Sequence, residues 1–314
     1  MPYSSRMQKN HLYSVFFAPR GYRRLAEAGM HIAQQYLSPF DKLIGLIGPE
    51  GSGKSVLITG MFPGLDLTND DMGVNVRPLP LLSVGDSSTG FYTPNTYHVD
   101  IRFELAFTQM HELADAIREA MRQGKRVVVE HFELVYPALG HNAHLLIGLG
   151  SEILLTRPTF FGPNPQDIHD VVYPSFPYRR MIHTAEDLCE FALKKLQLKK
   201  YEIYEHSDVR HGFVLSFADK PDIDIPALKN EVLDMIRQDI PISYKDDMHI
   251  MIGEHEHVCT GPRMHVKNTG EIEGFTLLDE LFFDPISKTH MLIGLVGNSS
   301  EQRISELNQI IGIL

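Results

Sequence analysis

Between residues 43 and 55 the chain reads Leu-Ile-Gly-Leu-Ile, then Gly48-Pro-Glu-Gly-Ser-Gly-Lys-Ser55. A short apolar run without polar alternation suits a strand buried on both faces, as in a parallel sheet. The next eight residues fit G-x-x-x-x-G-K-[ST], and a helix is expected from Lys54 through Val56, Leu57 and Ile58. Strand, glycine turn and helix in that order restrict the chain to layered α/β architectures. Glycines let the loop curl so that successive backbone N–H groups point at a polyphosphate, and the helix N-terminus adds its positive dipole end. Lys54 is placed to reach the β/γ-phosphates and the Ser55 hydroxyl to ligate Mg²⁺. The expected nucleotide cradle is Gly48, Glu50, Gly51, Ser52, Gly53, Lys54, Ser55 and Val56.

Alternating apolar runs continue through the first half. Leu105, Phe107, Met110, Leu113, Ile117 and Met121 recur at helical spacing, so a helix is expected over about 104–123, ending at Gly124. Arg126-Val-Val-Val-Glu130 reads as a second buried strand and Glu152-Ile-Leu-Leu-Thr156 as a third. Glu130, with His131 and Glu133 just beyond, stands where a phosphate-loop protein often has an acid. Asp100 and Arg102 are further candidates for the substrate side. Asp86–Thr96 is rich in turn formers and reads as an exposed loop. The prolines of Arg157–Pro165 break the pattern, as a lid or a linker.

This half resembles the P-loop kinases, the class that includes uridine kinase-like and nucleotide kinases. In these a second strand ends in an acidic residue near the acceptor hydroxyl. Phe62-Pro-Gly-Leu-Asp-Leu-Thr-Asn-Asp70-Asp71 stands at about that place. The resemblance implies that Asp70 or Asp71 orients or deprotonates an acceptor, or holds Mg²⁺ through water; capping the next element is the alternative.

Composition bounds the rest. The 314 residues, 43% hydrophobic and 22% charged, are ordinary for a folded chain of about two domains. The longest apolar stretches, such as Met291–Gly297, fall well short of the roughly 20 residues that span a bilayer, so no membrane partner is expected. No signal-peptide segment opens the chain, and residues 1–26, which lack Asp and Glu, read as a basic arm. Two cysteines imply a reducing compartment and a cytoplasmic location. A formal net charge of −11 disfavours indiscriminate nucleic-acid binding.

In the second half, Met181–Lys195 reads as a helix with Leu188, Phe191 and Ala192 on one side. His183 and Asp187, four apart, share a face. Pro226–Arg237 reads as an amphipathic helix with Leu228, Val232, Met235 and Ile236 inward. Lys194, Lys195, Lys199 and Lys200 form a basic cluster, read as a solvated helix end or a tRNA phosphate contact. Further on, His255, His257, Cys259 and His265 crowd eleven residues.

His183-Thr-Ala-Glu-Asp187-Leu and His265-Val-Lys-Asn-Thr-Gly-Glu-Ile272 together resemble the second additional domain of alanyl- and threonyl-tRNA synthetases, shared by freestanding editing proteins. That domain binds one Zn²⁺ through H-x-x-x-H on a helix and C-x-x-x-H on a strand and loop, in the pocket that hydrolyses mischarged aminoacyl-tRNA. By this resemblance His183 matches the first histidine and His265 the last. Asp187 stands in place of the second, and Gly261 falls at the cysteine position, with Cys259 two residues earlier. A His183–Asp187–Cys259–His265 zinc site, a substitution by His255 or His257, and loss of the ion all remain open.

The fold expected is therefore an α/β P-loop NTPase domain over 1–175, a mostly parallel sheet with helices on both faces, followed by an α+β editing-like domain over 176–314. The expected activity is Mg²⁺-dependent phosphotransfer from ATP or GTP to a small molecule, nucleoside or tRNA-linked acceptor bound by the editing-like domain. A zinc-dependent aminoacyl-tRNA trans-editing hydrolase and a nucleotide-binding switch are the alternatives. A homo-oligomer is compatible with either.

Overall fold

The computed structural model describes residues 13–67, 95–196, 202–209 and 211–297. Asp70, Asp71, Lys199, Lys200 and most of the 86–96 loop lie outside them. The described chain divides into two compact units, residues 13–18 with 22–176 and residues 19–21 with 177–297.

The first unit contains β1 (Tyr13–Phe17), α1 (Tyr22–Tyr36), β2 (Leu43–Ile47), α2 (Lys54–Met61), β3 (Thr96–Asp100), α3 (Ile101–Glu104), α4 (Met110–Arg122), β4 (Arg126–Glu130), α5 (Phe132–Leu139), β5 (Leu145–Leu149) and β6 (Glu152–Thr156). Its six strands lie in the order β1-β6-β5-β2-β4-β3. The run β3-β4-β2-β5 is parallel, whereas β6 turns back antiparallel beside β5 and β1 pairs antiparallel with β6. The sheet is thus mixed. The reversal is made at Gly150-Ser151, where Gly150 N–H donates to Glu152 O at 3.0 Å, too short a connection for a parallel crossover.

Strand residues alternate between two cores. Leu43, Ile47, Val127 and Val129 face α4 and α5, while Ile44, Leu46 and Val128 face α1 and α2. Glycines set two close approaches. A Cβ on Gly29 of α1 would stand 2.3 Å from Leu57 O, and one on Gly60 of α2 would stand 2.0 Å from Ala26 O, so these helices touch backbone to backbone. Gly45 of β2 leaves room for the Phe132 ring, which a Cβ there would meet at 2.6 Å.

The helix expected over about 104–123 begins only at Met110, and a separate short helix, α3, ends at Glu104. Asp100 caps α3 by accepting from Phe103 N at 3.2 Å, and a capping box between Gln109 and Glu112 starts α4. Leu105 and Phe107, expected in the core, are 40% and 73% exposed in the connection between them. The helix expected from Met181 begins instead at Pro165. This α6 (Pro165–Lys195) carries Pro174 and Pro177 in its interior, and the boundary between the units falls at Phe176/Pro177.

The second unit holds the later part of α6, β7 (Ile203–Val209), β8 (Gly212–Phe217), α7 (Ile225–Arg237), β9 (Ile242–Asp246), β10 (His249–Ile252), β11 (His255–Val258), β12 (Thr276–Leu277), β13 (Phe282–Asp284) and β14 (Thr289–Leu295). One sheet runs β12-β14-β8-β7, with β13 on β14, and a smaller one runs β11-β10-β9. Leu188, Ala192, Leu228, Val232 and Met235 pack with Phe213, Leu215 and Ile250 in one core. Among the described residues no helix is long and apolar enough to cross a membrane.

Candidate functional site

In the first unit the chemistry gathers at the C-terminal ends of the parallel strands. Gly51 and Gly53 take φ values of 73° and 93°, which turn the loop between β2 and α2, and Lys54 opens the helix. The Lys54 amine donates to Gly48 O at 3.1 Å and Pro49 O at 3.0 Å. It also lies 3.7 Å from Glu130 Oε2. Because β2 and β4 are adjacent, Glu130 ends beside the loop, and Ser55 Oγ donates to Glu130 Oε1 at 3.0 Å.

His98 Nε2 lies 3.2 Å from the same oxygen, with its side chain fully buried. Burial alone would raise the Glu130 carboxyl. The His98 hydrogen bond and charge, with Lys54 and Ser55, outweigh it and leave the group below its usual range. The buried acid is thus held ionised between a serine hydroxyl, an imidazole and the lysine ammonium.

A second polar group borders the loop. Tyr173 OH is 3.3 Å from both Gly48 O and Glu133 Oε1, and Arg102 donates to it at 3.4 Å. Burial and the Glu133 charge push the Tyr173 phenol up to about 12, so at neutral pH it is a donor. Glu50 is the outlying member of the expected cradle, its side chain 86% exposed and 4.0 Å from Arg102.

In the second unit, one ligand atom each from His183, Asp187, Cys259 and His265 lies within 4.8 Å of the others, and all four residues are buried. The successive separations are 3.2 Å from His183 Nε2 to Cys259 Sγ, 3.8 Å from that sulfur to His265 Nε2, and 2.9 Å from His265 Nε2 to Asp187 Oδ2. A tetrahedral Zn²⁺ with bonds of about 2.0–2.3 Å needs ligand separations of roughly 3.3–3.8 Å, so small rotamer adjustments meet that geometry. His265 Nδ1 donates outward to Pro262 O at 3.2 Å, whereas His183 Nδ1, 4.0 Å from Glu186 Oε2, is buried without a hydrogen-bond partner.

Cys259 reaches the group although its spacing from His265 is longer than in the resembled motif. A Cβ at Gly261 would stand 2.5 Å from Arg20 O, so that position is closed to a side chain and the loop delivers Cys259 instead. Burial and then Asp187 push the Cys259 thiol up. Burial would raise the Asp187 carboxyl too, but the imidazoles of His183, His265 and His257 hold it below the usual carboxylate range. Burial and the His265 charge lower His183. The group thus offers two imidazoles, a carboxylate and a thiol that ionises only against a cation.

His257 is buried with Nε2 3.9 Å from Asp187 Oδ1, just outside the four, whereas His255 is exposed beside the Phe191 ring. A cavity of about 410 Å³, lined in part by Tyr244, Arg263, His265 and Lys267, opens against the cluster. Lys195 pairs with Glu231 at its helix end.

Sequence reasoning passed over His98 and Tyr173. His98 sits two residues before Asp100 on an alternating strand, which alone suggests only that the two share a face. Tyr173 lies among prolines where no helix was expected. No family model matches the chain, and no curated protein matches it.

Proposed function

We propose that the first unit transfers a phosphoryl group from a nucleoside triphosphate, ATP or GTP, to a small-molecule, nucleoside or tRNA-linked acceptor. The observation that carries this reading is the convergence of Lys54, Ser55 and Glu130, with Ser55 Oγ 3.0 Å from Glu130 Oε1, at the end of a glycine loop between a buried strand and a helix. In this reading the loop N–H groups bind the polyphosphate and Lys54 neutralises charge on the transferring group. Ser55 and Glu130, the latter through water, would hold Mg²⁺. The ion, when bound, supplies charge neutralisation on the phosphate oxygens. Asp100, at the end of β3 next to Glu130, is the described acid best placed to accept the acceptor's proton, and His98 orients Glu130.

The test is nucleotide binding and turnover with candidate acceptors in the native protein and in Lys54→Ala. Loss of at least about 100-fold in kcat/KM supports the reading. Equal binding and turnover in the variant would sink it.

A second reading is favoured by the four-residue cluster of the second unit, a site for Zn²⁺ and, with it, hydrolysis of aminoacyl-tRNA. Zinc lost in both His183→Ala and His265→Ala, together with lost deacylation, supports it. Zinc-free protein from a zinc-supplemented preparation counts against it.

A further inference from the structure

We propose that His257 fixes Asp187 as a metal ligand by donating its Nε2 hydrogen to Oδ1, the oxygen left over when Oδ2 ligates. The inference rests on the zinc reading of the second unit and goes beyond its four ligands. Strand alternation sets the placement. In β11 His255 and Val258 are exposed, whereas His257 is buried, with its side chain 1% exposed. It pairs with Ile250 of β10 and meets the Phe191 ring edge to face at 6.2 Å. Phe191 and Asp187 lie four apart on α6, so one helix face carries both the ring that His257 packs on and the carboxylate it faces. His257 stands outside the four residues whose ligand atoms lie within 4.8 Å of one another, so it acts on the ion through Asp187.

His257 Nε2 is buried with no hydrogen-bond partner among the described residues, and it faces Asp187 Oδ1 at 3.9 Å. That gap is too long for a hydrogen bond and too short for a water between. Leaving a buried nitrogen unpaired is costly, so the arrangement is poised to close. Ion uptake supplies the movement. Asp187 Oδ2 lies 2.9 Å from His265 Nε2. Two ligands of one tetrahedral ion stand roughly 3.3 Å apart or more, so binding must part this pair and turn the carboxylate. A movement of about 1 Å brings Oδ1 within reach of His257.

Aspartate at 187, where the resembled motif has histidine, explains why a partner is needed. A ligating imidazole has no spare acceptor. A carboxylate that ligates through one oxygen keeps a second, which must be paired in a buried site. Hydrogen bonds to the outer atoms of ligands orient them and raise metal affinity.

The experiment measures Zn²⁺ and Co²⁺ binding to the full-length protein, by competition with a chromophoric chelator and by the visible absorption of bound Co²⁺. Three variants are compared with the native chain. Gln places an amide nitrogen where Nε2 stands, Asn is one carbon too short to reach, and Leu has no donor. His257→Leu and His257→Asn should weaken binding about 10–100-fold and shift the Co²⁺ ligand-field bands, whereas His257→Gln should restore both. Circular dichroism checks that each stays folded, and if His257→Leu does not, the Asn and Gln pair decides. Native-like binding in His257→Asn or in folded His257→Leu, or binding in His257→Gln as weak as in His257→Asn, would overturn the proposal and leave the zinc reading standing. A native protein that takes up neither ion refutes that reading, and this inference with it.

Discussion

Gly29 and Gly60 make the contact between α1 and α2, and replacing either by alanine tests how strongly that contact positions the helix that begins at Lys54. An added Cβ would sit 2.3 Å from Leu57 O at Gly29 and 2.0 Å from Ala26 O at Gly60. An ordinary carbon–oxygen contact is about 3.3 Å or more, so the helices must part by about 1 Å. The obstacles are backbone carbonyls, which cannot rotate aside. Overpacking of this kind costs about 1–3 kcal/mol, and here the upper end applies. Alanine returns up to about 1 kcal/mol through helix propensity, leaving a net loss of about 2 kcal/mol for each variant.

Urea unfolding followed by circular dichroism should therefore show a midpoint about 1 M lower in each single variant, for a slope near 2 kcal/mol per M. One separation relieves both clashes, so the double variant should fall short of the sum by at least about 0.5 kcal/mol. A raised midpoint in either single variant, or strict additivity, would refute the reasoning. The same displacement moves Lys54, so affinity for the proposed nucleotide should fall in parallel.

Three other outcomes follow from single contacts. Arg157 binds both oxygens of buried Asp41 and donates to Tyr36 O at 2.7 Å, so Arg157→Ala should cost about 3–5 kcal/mol in calorimetry, and Arg157→Lys should recover only part of that. Burial, Asp187 and Glu186 push the Glu190 carboxyl up to about 7 against the opposing His206. The folded state thus keeps a proton that the unfolded state loses above about pH 4.5, stability falls as pH rises from there to about 7, and Glu190→Gln should stabilise at pH 8 but not at pH 4. Because burial keeps the Cys259 thiol protonated, Zn²⁺ uptake should release a proton that Cys259→Ser does not, and affinity should rise with pH; dye-monitored uptake in weak buffer reads both.

What the sequence revealed depended on whether local signals were allowed to decide. Leu43–Ile47 and the helix from Lys54 were legible because apolar run, glycine turn and helix former agree over a few residues. The break at Leu105–Thr108 was misread because helical periodicity continues through it, while the deciding signals are the Asp100 cap and the Gln109/Glu112 box. The start of α6 was hidden by Pro174 and Pro177, residues that argue against a helix interior. Cys259 was nameable by type, but only the Arg20 carbonyl against Gly261 explains why the thiol comes from two residues earlier. Such a contact between residues far apart in the chain leaves no local trace. Asp70 and Asp71 lie outside the described residues, and β3 instead presents Asp100 beside Glu130.

Lys54 is already fully engaged, its amine on the Gly48 and Pro49 carbonyls with Glu130 nearby. Any anion that recruits it must outbid these internal partners. Inorganic phosphate or sulfate, with few contacts to offer, competes poorly, whereas a polyphosphate that also fills the loop can displace them. On the proposed nucleotide-binding reading, the resting hydrogen bonds would therefore act as a selectivity filter against small anions.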